Sequence, residues 1–73
     1  MEEGYINLVN AIILQAIKDY VNAQNRIRKH PFDYGAGRIM YEVESFLRSG
    51  WFEMLTDLDG EWLLERIKKW DTF

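Results

Sequence analysis

Residues 5–28 read YINLVNAIILQAIKDYVNAQNRIR, without glycine or proline and with apolar side chains every three or four positions. This spacing is the period of an α-helix, so the sequence predicts a first helix from Tyr5 to about Arg28. The central apolar stripe comprises Val9, Ile12, Ile13, Ala16, Tyr20, Ala23 and Ile27. The residues on one flank of the stripe are Ile6, Leu14, Ile17 and Val21. Together they widen the apolar arc to roughly 200°, about twice what a helix with one covered side needs.

An apolar arc this wide has two interpretations. In the first, the helix is the centre of a small bundle and the rest of the chain wraps around it. In the second, the flank of Leu14, Ile17 and Val21 is the seam of a homodimer. The chain has 73 residues and no cysteine, and a core of this size supplies about 3–5 kcal/mol. We therefore expect self-association, most simply as a dimer.

The sequence predicts two more helices and a short helical turn. Pro31 ends the first helix by His30, because proline lacks a backbone donor and disfavours helix in the residue before it. Asp33 is the expected N-cap of a second helix. The apolar residues that follow at helical spacing are Ile39, Met40, Val43, Phe46 and Leu47. On its exposed face we expect salt bridges from Arg38 to Glu42 and from Arg48 to Glu44.

The connection after the second helix has two possible forms. Gly50 is either a left-handed helix stop, or it follows a Ser49 N-cap that opens a short turn over Trp51–Leu55. Asp59 is then the expected N-cap of the last helix. The predicted inner stripe of that helix is Leu63, Leu64, Ile67 and Trp70, with Trp62 at its edge. The predicted fold is all-α, a single helical domain over residues 1–73 with three helices and a short helical turn between helices 2 and 3.

Composition and charge exclude several classes of protein. Hydrophobic residues make up 48% of the chain and the net charge is −3, so disorder is excluded. The acidic balance disfavours nucleic-acid binding, since the field of the domain repels phosphate. The longest apolar run, Ala11–Leu14, is far shorter than a membrane span. The acidic Met1–Gly4 start does not fit a signal peptide, and we expect a cytoplasmic protein.

Residues 11–20 read AIILQAIKDY and residues 46–63 read FLRSGWFEMLTDLDGEWL. These two segments resemble a family of short uncharacterised helical proteins from phages, prophages and conjugative elements of Gram-positive bacteria. In the family pattern an aromatic pair, a small polar residue and Trp-Phe precede Leu-Thr-Asp, followed by Asp, Gly or Pro, Glu and an aromatic. Leu47 replaces the second aromatic, Gly50 stands where an acidic residue is more usual, and Gly60 occupies the Gly-or-Pro position. The resemblance implies a mobile-element setting and supplies no catalytic residues.

Trp51, Phe52 and Trp62 concentrate aromatic area around one bend of the chain. As core residues they would fasten this bend to the first helix. As exposed residues they would anchor a partner protein, because Trp and Tyr dominate interface hot spots. The neighbouring acidic residues are Glu53, Asp57, Asp59 and Glu61. They serve either as helix caps or as a patch for a basic surface of the partner.

A cationic cluster around the first interhelical loop is the alternative site. Its members are Arg26, Arg28, Lys29 and Arg38. Gly35 and Gly37 would let backbone N–H groups point at an anion, and Phe32 and Tyr34 would stack on a base. The alternative function is therefore binding of a small anionic ligand such as a nucleotide, or of nucleic acid, through the region from Arg26 to Arg38. The competing explanation is that these charges are solvated and complement the C-terminal end of the first helix dipole.

Catalytic chemistry has little support in the sequence. His30 is the single histidine, and neither Ser45 nor Ser49 lies in the signature of an activated nucleophile. Asp57-Leu58-Asp59-Gly60 lacks the remaining ligand spacing of a calcium loop. We expect no enzyme activity, no metal and no cofactor. The predicted function is a phage or mobile-element accessory protein that binds and modulates a host or defence protein, and a structural virion component is a third interpretation.

Overall fold

The computed structural model describes residues 2–70, except for the side chains of Glu2, Glu3, Tyr5 and Ile6. In this range the chain forms four helices: α1 Glu2–Lys29, α2 Tyr34–Leu47, α3 Gly50–Leu55 and α4 Gly60–Ile67. The all-α prediction is confirmed, with α3 as the short helical turn between the second and last main helices. Ile6 was predicted to lie on the flank of α1, but its side chain lies outside the described part of the structure.

Side-chain caps set the starts of the last three helices. Asp33 Oδ1 accepts a hydrogen bond from the Ala36 N–H at 3.0 Å at the start of α2. Asp59 Oδ1 accepts from the N–H groups of Glu61 and Trp62 at the start of α4. Both predicted N-caps are confirmed. These carboxylates satisfy backbone donors that a first helical turn leaves unpaired.

Ser49 opens α3, so the second of the two forms predicted for this connection is the observed one. Its Oγ accepts from the Phe52 N–H at 3.2 Å and donates to the Phe46 carbonyl oxygen at 2.6 Å. Gly50 does not adopt a left-handed conformation. The hydroxyl therefore joins the last turn of α2 to the first turn of α3.

The three longer helices run up, down and up. Arg26 near the end of α1 binds Asp33 just before α2, and the 14 residues of α2 then run back along the 28 residues of α1. Gly60 at the start of α4 lies against Leu47 at the end of α2. After α4 the Trp70 carbonyl oxygen accepts from Gln24 Nε2 of α1 at 2.9 Å. α4 therefore runs in the same direction as α1.

Both α2 and α4 pack against α1, which explains how one helix buries such a wide apolar arc. Ile17 and Val21, on the predicted flank, are buried in the core of the same chain, whereas Leu14 remains 45% exposed. The side chains with least exposure are Tyr20, Phe52, Leu47, Leu64, Ile67 and Val21. The first interpretation of the arc, a central helix wrapped by its own chain, therefore describes most of α1.

Trp70 departs from the predicted inner stripe of the last helix. Leu63, Leu64 and Ile67 are buried, but α4 ends at Ile67 and Trp70 is 38% exposed. Because the helix ends before residue 70, the helical period no longer places the Trp70 side chain on the buried face of α4. The prediction for Trp70 was wrong.

Candidate protein-interaction site

Trp51 and Phe52 are adjacent in sequence but lie on different sides of α3. The Phe52 side chain is fully buried, and its ring meets that of Phe46 edge-to-face with the centroids 5.6 Å apart. Trp51 is 63% exposed. Neighbouring residues of a helix point about 100° apart, so a helix lying on the core buries one of them and exposes the other.

The outer side of α3 presents an apolar face. Met54 follows Trp51 at the i, i+3 spacing that places two side chains on the same face of a helix. It is 82% exposed, and Leu58, in the connection to α4, is 45% exposed. Large apolar side chains are therefore concentrated at the solvent surface over a few residues of chain.

Four carboxylates border a surface depression of about 520 Å³ between α3 and the start of α4, together with Leu58. They belong to Glu53, Asp57, Asp59 and Glu61. Asp59 is the cap of α4, and Glu61 Oε2 accepts from Arg48 Nε at 2.6 Å. Glu53 and Asp57 accept no hydrogen bond from the described part of the chain. Arg48 lines the same depression but pairs with Glu44 and Glu61, so Glu53 and Asp57 carry the charge that is left uncompensated there.

Trp62 is the second exposed tryptophan of the predicted set, at 53% exposure on α4. The guanidinium carbon of Arg66 lies 5.1 Å from the centroid of its ring. Cation–π contacts between exposed side chains contribute about 0.5–1 kcal/mol, so this contact favours the observed position of the indole only slightly. We use the name α3–α4 surface for the exposed side chains of α3, of α4 and of the connection between them, which are Trp51, Met54, Leu58 and Trp62 together with the carboxylates of Glu53 and Asp57.

The structure divides the six residues predicted to bind a partner into two groups. Trp51, Trp62 and Leu14 are exposed, whereas Phe52, Ile17 and Val21 are buried in the core. Periodicity placed all six on apolar faces, but it did not indicate which part of each face the rest of the chain covers. In this conformation a partner reaches only the exposed three.

Arg26 of the alternative anion site is compensated by the carboxylate of Asp33. Arg26 donates to both carboxylate oxygens of Asp33, at 3.0 and 3.1 Å. The Ala36 N–H and Arg26 hold the pKa of the Asp33 carboxyl below its usual value. Asp33 therefore occupies the first turn of α2, where an external anion was predicted to bind.

The other cations of this set do not converge on one point. Arg38 pairs with Glu42 at 3.3 Å on the exposed face of α2, which confirms the predicted salt bridge. Arg28 Nη1 donates to Asn25 Oδ1 at 3.3 Å, and Lys29 is exposed in the last turn of α1. Phe32 and Tyr34 are exposed at 80% and 81%. The geometry gives no shared cradle for a phosphate.

A polar network that the sequence reasoning missed links three helices. The Tyr20 hydroxyl donates to Glu44 Oε2 at 2.8 Å. The predicted pair of Arg48 with Glu44 is present at 3.7 Å, and Arg48 also binds Glu61 on α4. Burial, followed by the hydrogen bond to Glu44, raises the pKa of Tyr20 well above its usual range. The sequence analysis places Tyr20 in the apolar stripe and gives its hydroxyl no partner. A tyrosine at a buried position of a helix could have indicated one, because a buried hydroxyl usually forms a hydrogen bond.

The described part of the chain has neither a cluster of metal ligands nor a membrane-spanning helix. Within residues 2–70, the side chains described contain no group of three or more His, Asp or Glu residues arranged to hold a metal ion. No helix in the same range is long and apolar enough to cross a membrane.

Comparisons with models of protein families, with curated proteins and with solved structures found no match to this chain. Membership of the mobile-element family indicated by residues 11–20 and 46–63 therefore stays a prediction. The function has to be argued from the surface described above.

Proposed function

We propose that this chain is a non-enzymatic accessory protein of a phage or mobile element that acts in the cytoplasm by binding and modulating a host or defence protein. The observation that carries the proposal is the α3–α4 surface, where Trp51 is 63% and Trp62 is 53% exposed. The resemblance of residues 46–63 to mobile-element proteins supplies the biological setting.

Exposed tryptophans in a small domain favour protein binding over simple solvation. Large aromatic side chains bury 150–250 Å² each at an interface, roughly, and contribute most of the energy of many hot spots. Trp62 also contacts the guanidinium group of Arg66, and this contact would have to be kept or exchanged when a partner binds.

The carboxylates of Glu53 and Asp57 indicate the charge of the partner. They border the depression beside Leu58 and have no donor among the described residues. A partner with Lys or Arg around an apolar centre would complement them and associate faster at low ionic strength. We therefore expect a basic rim on the bound face of the host protein.

Site-specific photo-crosslinking in the producing cells tests this proposal. A benzoylphenylalanine in place of Trp51 should give one discrete adduct with a second protein. The same residue in place of Tyr41, an aromatic residue of α2 that is 71% exposed, is the matched control and should give none. Adducts of equal yield at both positions, or none at position 51, would reject the α3–α4 surface.

We further propose that the protein forms a homodimer, on a narrower surface than the sequence indicated. Among the flank residues whose side chains the structure describes, Leu14 stays exposed, at 45%. At low micromolar concentration, sedimentation should give twice the 8.8 kDa mass of one chain, and Leu14→Gln should restore the single mass. A single chain at every concentration would contradict the dimer and leave the crosslinking result unaffected.

A further inference from the structure

A second surface lies between α1 and α2, in a depression of about 330 Å³. Its floor is formed by Ile12 and Ala16 from α1 and by Val43 and Phe46 from α2, and we name it the α1–α2 groove. None of the residues that line it borders the depression of the α3–α4 surface. Ile12 also points about 140° away from Ile17, which faces the core.

The floor of the groove is incompletely covered apolar surface. Ile12, Ala16 and Phe46 are partly exposed, and Ala16 and Phe46 also pack against the core. Leu8 lies one turn before Ile12 on the same side of α1 and is 59% exposed. The apolar strip therefore continues along α1 for about two turns, from residue 8 to residue 16.

Carboxylates stand on both edges of the groove. On the α1 edge, Asp19 Oδ1 accepts from Gln15 Nε2 at 2.8 Å, and this neutral donor leaves the negative charge uncompensated. On the α2 edge, Glu42 pairs with Arg38, but the two side chains are 60% and 80% exposed. Solvent screens a pair this exposed, so it contributes little and exchanges readily.

We propose that the α1–α2 groove binds an amphipathic helix of a partner protein, with apolar anchors along one face and Lys or Arg beside them. Helices dock into apolar grooves through anchors spaced at i, i+4 and i+7. The strip of Leu8, Ile12 and Ala16 matches one face of such a helix in length. Asp19 and Glu42 would each pair with a flanking cation.

The open form of the depression favours a helix over a small molecule. Pockets for small ligands enclose roughly 70–90% of the ligand surface. This groove is a surface depression between two helices, and it would leave a compact ligand largely in solvent. A helix seals such a groove along its length and buries the anchors with their neighbours.

The probe for the test is a fluorescein-labelled synthetic helix of about four turns, with Leu at i, i+4 and i+7 and Lys beside each Leu. Binding to the full chain is followed by anisotropy at low and high salt. The same peptide with Glu in place of Lys is the charge control. We expect saturable binding of the Lys peptide that weakens with salt, and at least about tenfold weaker binding of the Glu peptide.

Two double variants with equal changes in net charge locate the binding site. The double variant Asp19→Asn with Glu42→Gln should weaken binding of the Lys peptide about tenfold. Adding Ile12→Ala to this double variant should weaken the binding further. Glu53→Gln with Asp57→Asn, on the α3–α4 surface, should have no effect. All these positions are exposed or half-exposed, and circular dichroism of each variant verifies that it is folded.

Three outcomes would overturn the proposal. The first is no binding of the Lys peptide, and the second is loss of binding only in the Glu53 and Asp57 variant. The third is a dimer in sedimentation that Ile12→Ala abolishes, because the groove would then hold a second copy of the chain. The proposal does not rest on the partner of the α3–α4 surface, since crosslinking at position 51 can fail while the groove binds its helix.

Discussion

Gly60, the first residue of α4, lies against the backbone carbonyl group of Leu47 at the end of α2. A Cβ atom on residue 60 would be 2.8 Å from the Leu47 carbonyl carbon and closer still to its oxygen. The Phe52 ring would lie 3.4 Å away on another side. The junction of α2 and α4 therefore requires glycine, and a proline, which the family pattern allows at this position, would meet the same carbonyl.

Replacing this glycine should strongly destabilise the fold. Gly60→Ala forces either α4 or the end of α2 to move, and overpacking of this kind costs about 1–3 kcal/mol or more. The contact is with backbone, which cannot rotate away, so we expect at least the upper part of that range. Urea denaturation followed by circular dichroism measures the change in the free energy of unfolding.

Gly50→Ala is the matched control, since a Cβ at Gly50 would meet nothing within 4 Å. Gly50 is exposed at the start of α3, and removing a glycine there restricts the unfolded chain. We expect a change between zero and about +1 kcal/mol in the free energy of unfolding. Equal losses in both alanine variants would refute the close contact at Gly60.

The Tyr20 hydroxyl should contribute measurably to stability. Tyr20 is 1% exposed and its hydroxyl donates to the Glu44 carboxylate. Hydrogen bonds to charged groups are worth about 1.5–3 kcal/mol, and Glu44 keeps solvent and Arg48 as alternative partners. Tyr20→Phe should therefore cost about 1.5 kcal/mol, measured by urea denaturation near neutral pH.

The same hydroxyl should make the fold sensitive to alkali. The pKa of Tyr20 is raised above its ordinary value of 10.0 in the folded protein. Protonated Tyr20 is therefore favoured by folding, and its contribution is complete below about pH 10 and declines as the pH rises further. Above about pH 10, the free energy of unfolding should fall less steeply with pH in Tyr20→Phe than in the wild type. Tyr41→Phe, which changes an exposed tyrosine, should keep the slope of the wild type. An unchanged slope in Tyr20→Phe would contradict the assignment.

Asp33 should make the fold sensitive to acid. Its pKa lies below the ordinary 3.8 because the Ala36 N–H and then Arg26 favour the carboxylate. The stabilisation is complete above that ordinary value and disappears as the pH falls through the lower folded value. Asp33→Asn keeps a capping oxygen but loses the ion pair. The difference in Tm between wild type and variant should shrink between about pH 7 and about pH 2, and a constant difference would argue against this role.

Truncation of Phe52 should destabilise the fold strongly, whereas truncation of Trp51 should have almost no effect on stability. Phe52→Ala removes a fully buried ring and should cost about 3–5 kcal/mol, which is enough to unfold a domain of this size. Phe52→Leu retains most of the volume, should fold, and should show a smaller loss. Trp51→Ala should change the free energy of unfolding by no more than about 0.5 kcal/mol. A large loss at Trp51 would show that its indole belongs to the core.

Local signals in the sequence predicted the helices and their caps. The first helix was predicted from Tyr5 to about Arg28 and extends over Glu2–Lys29. Asp33 and Asp59 cap the helices to which they were assigned. Each of these features depends on a backbone donor and a side-chain oxygen within a few residues of it, so nearby sequence is sufficient. At Gly50 the nearby sequence allowed two forms, and in the observed one Phe52 is buried in the core.

The candidate site was only partly predictable, because exposure depends on packing between distant segments of the chain. The sequence identified the aromatic bend, and it grouped Trp51 with Phe52 and Leu14 with Ile17 and Val21. Exposure separates these neighbours, and exposure depends on where α2 and α4 cross α1. The α1–α2 groove had no signal in the sequence, since its two edges come from residues more than twenty positions apart.

The sequence by itself determined which segments are helical, where they begin, and which face of each is apolar, because these properties follow from spacing and capping along one stretch of chain. The tertiary structure decided which apolar residues remain at the surface, why residue 60 is glycine, and that Tyr20 meets Glu44. Those outcomes depend on distances between segments remote in sequence, and such distances are fixed only when the helices pack against one another.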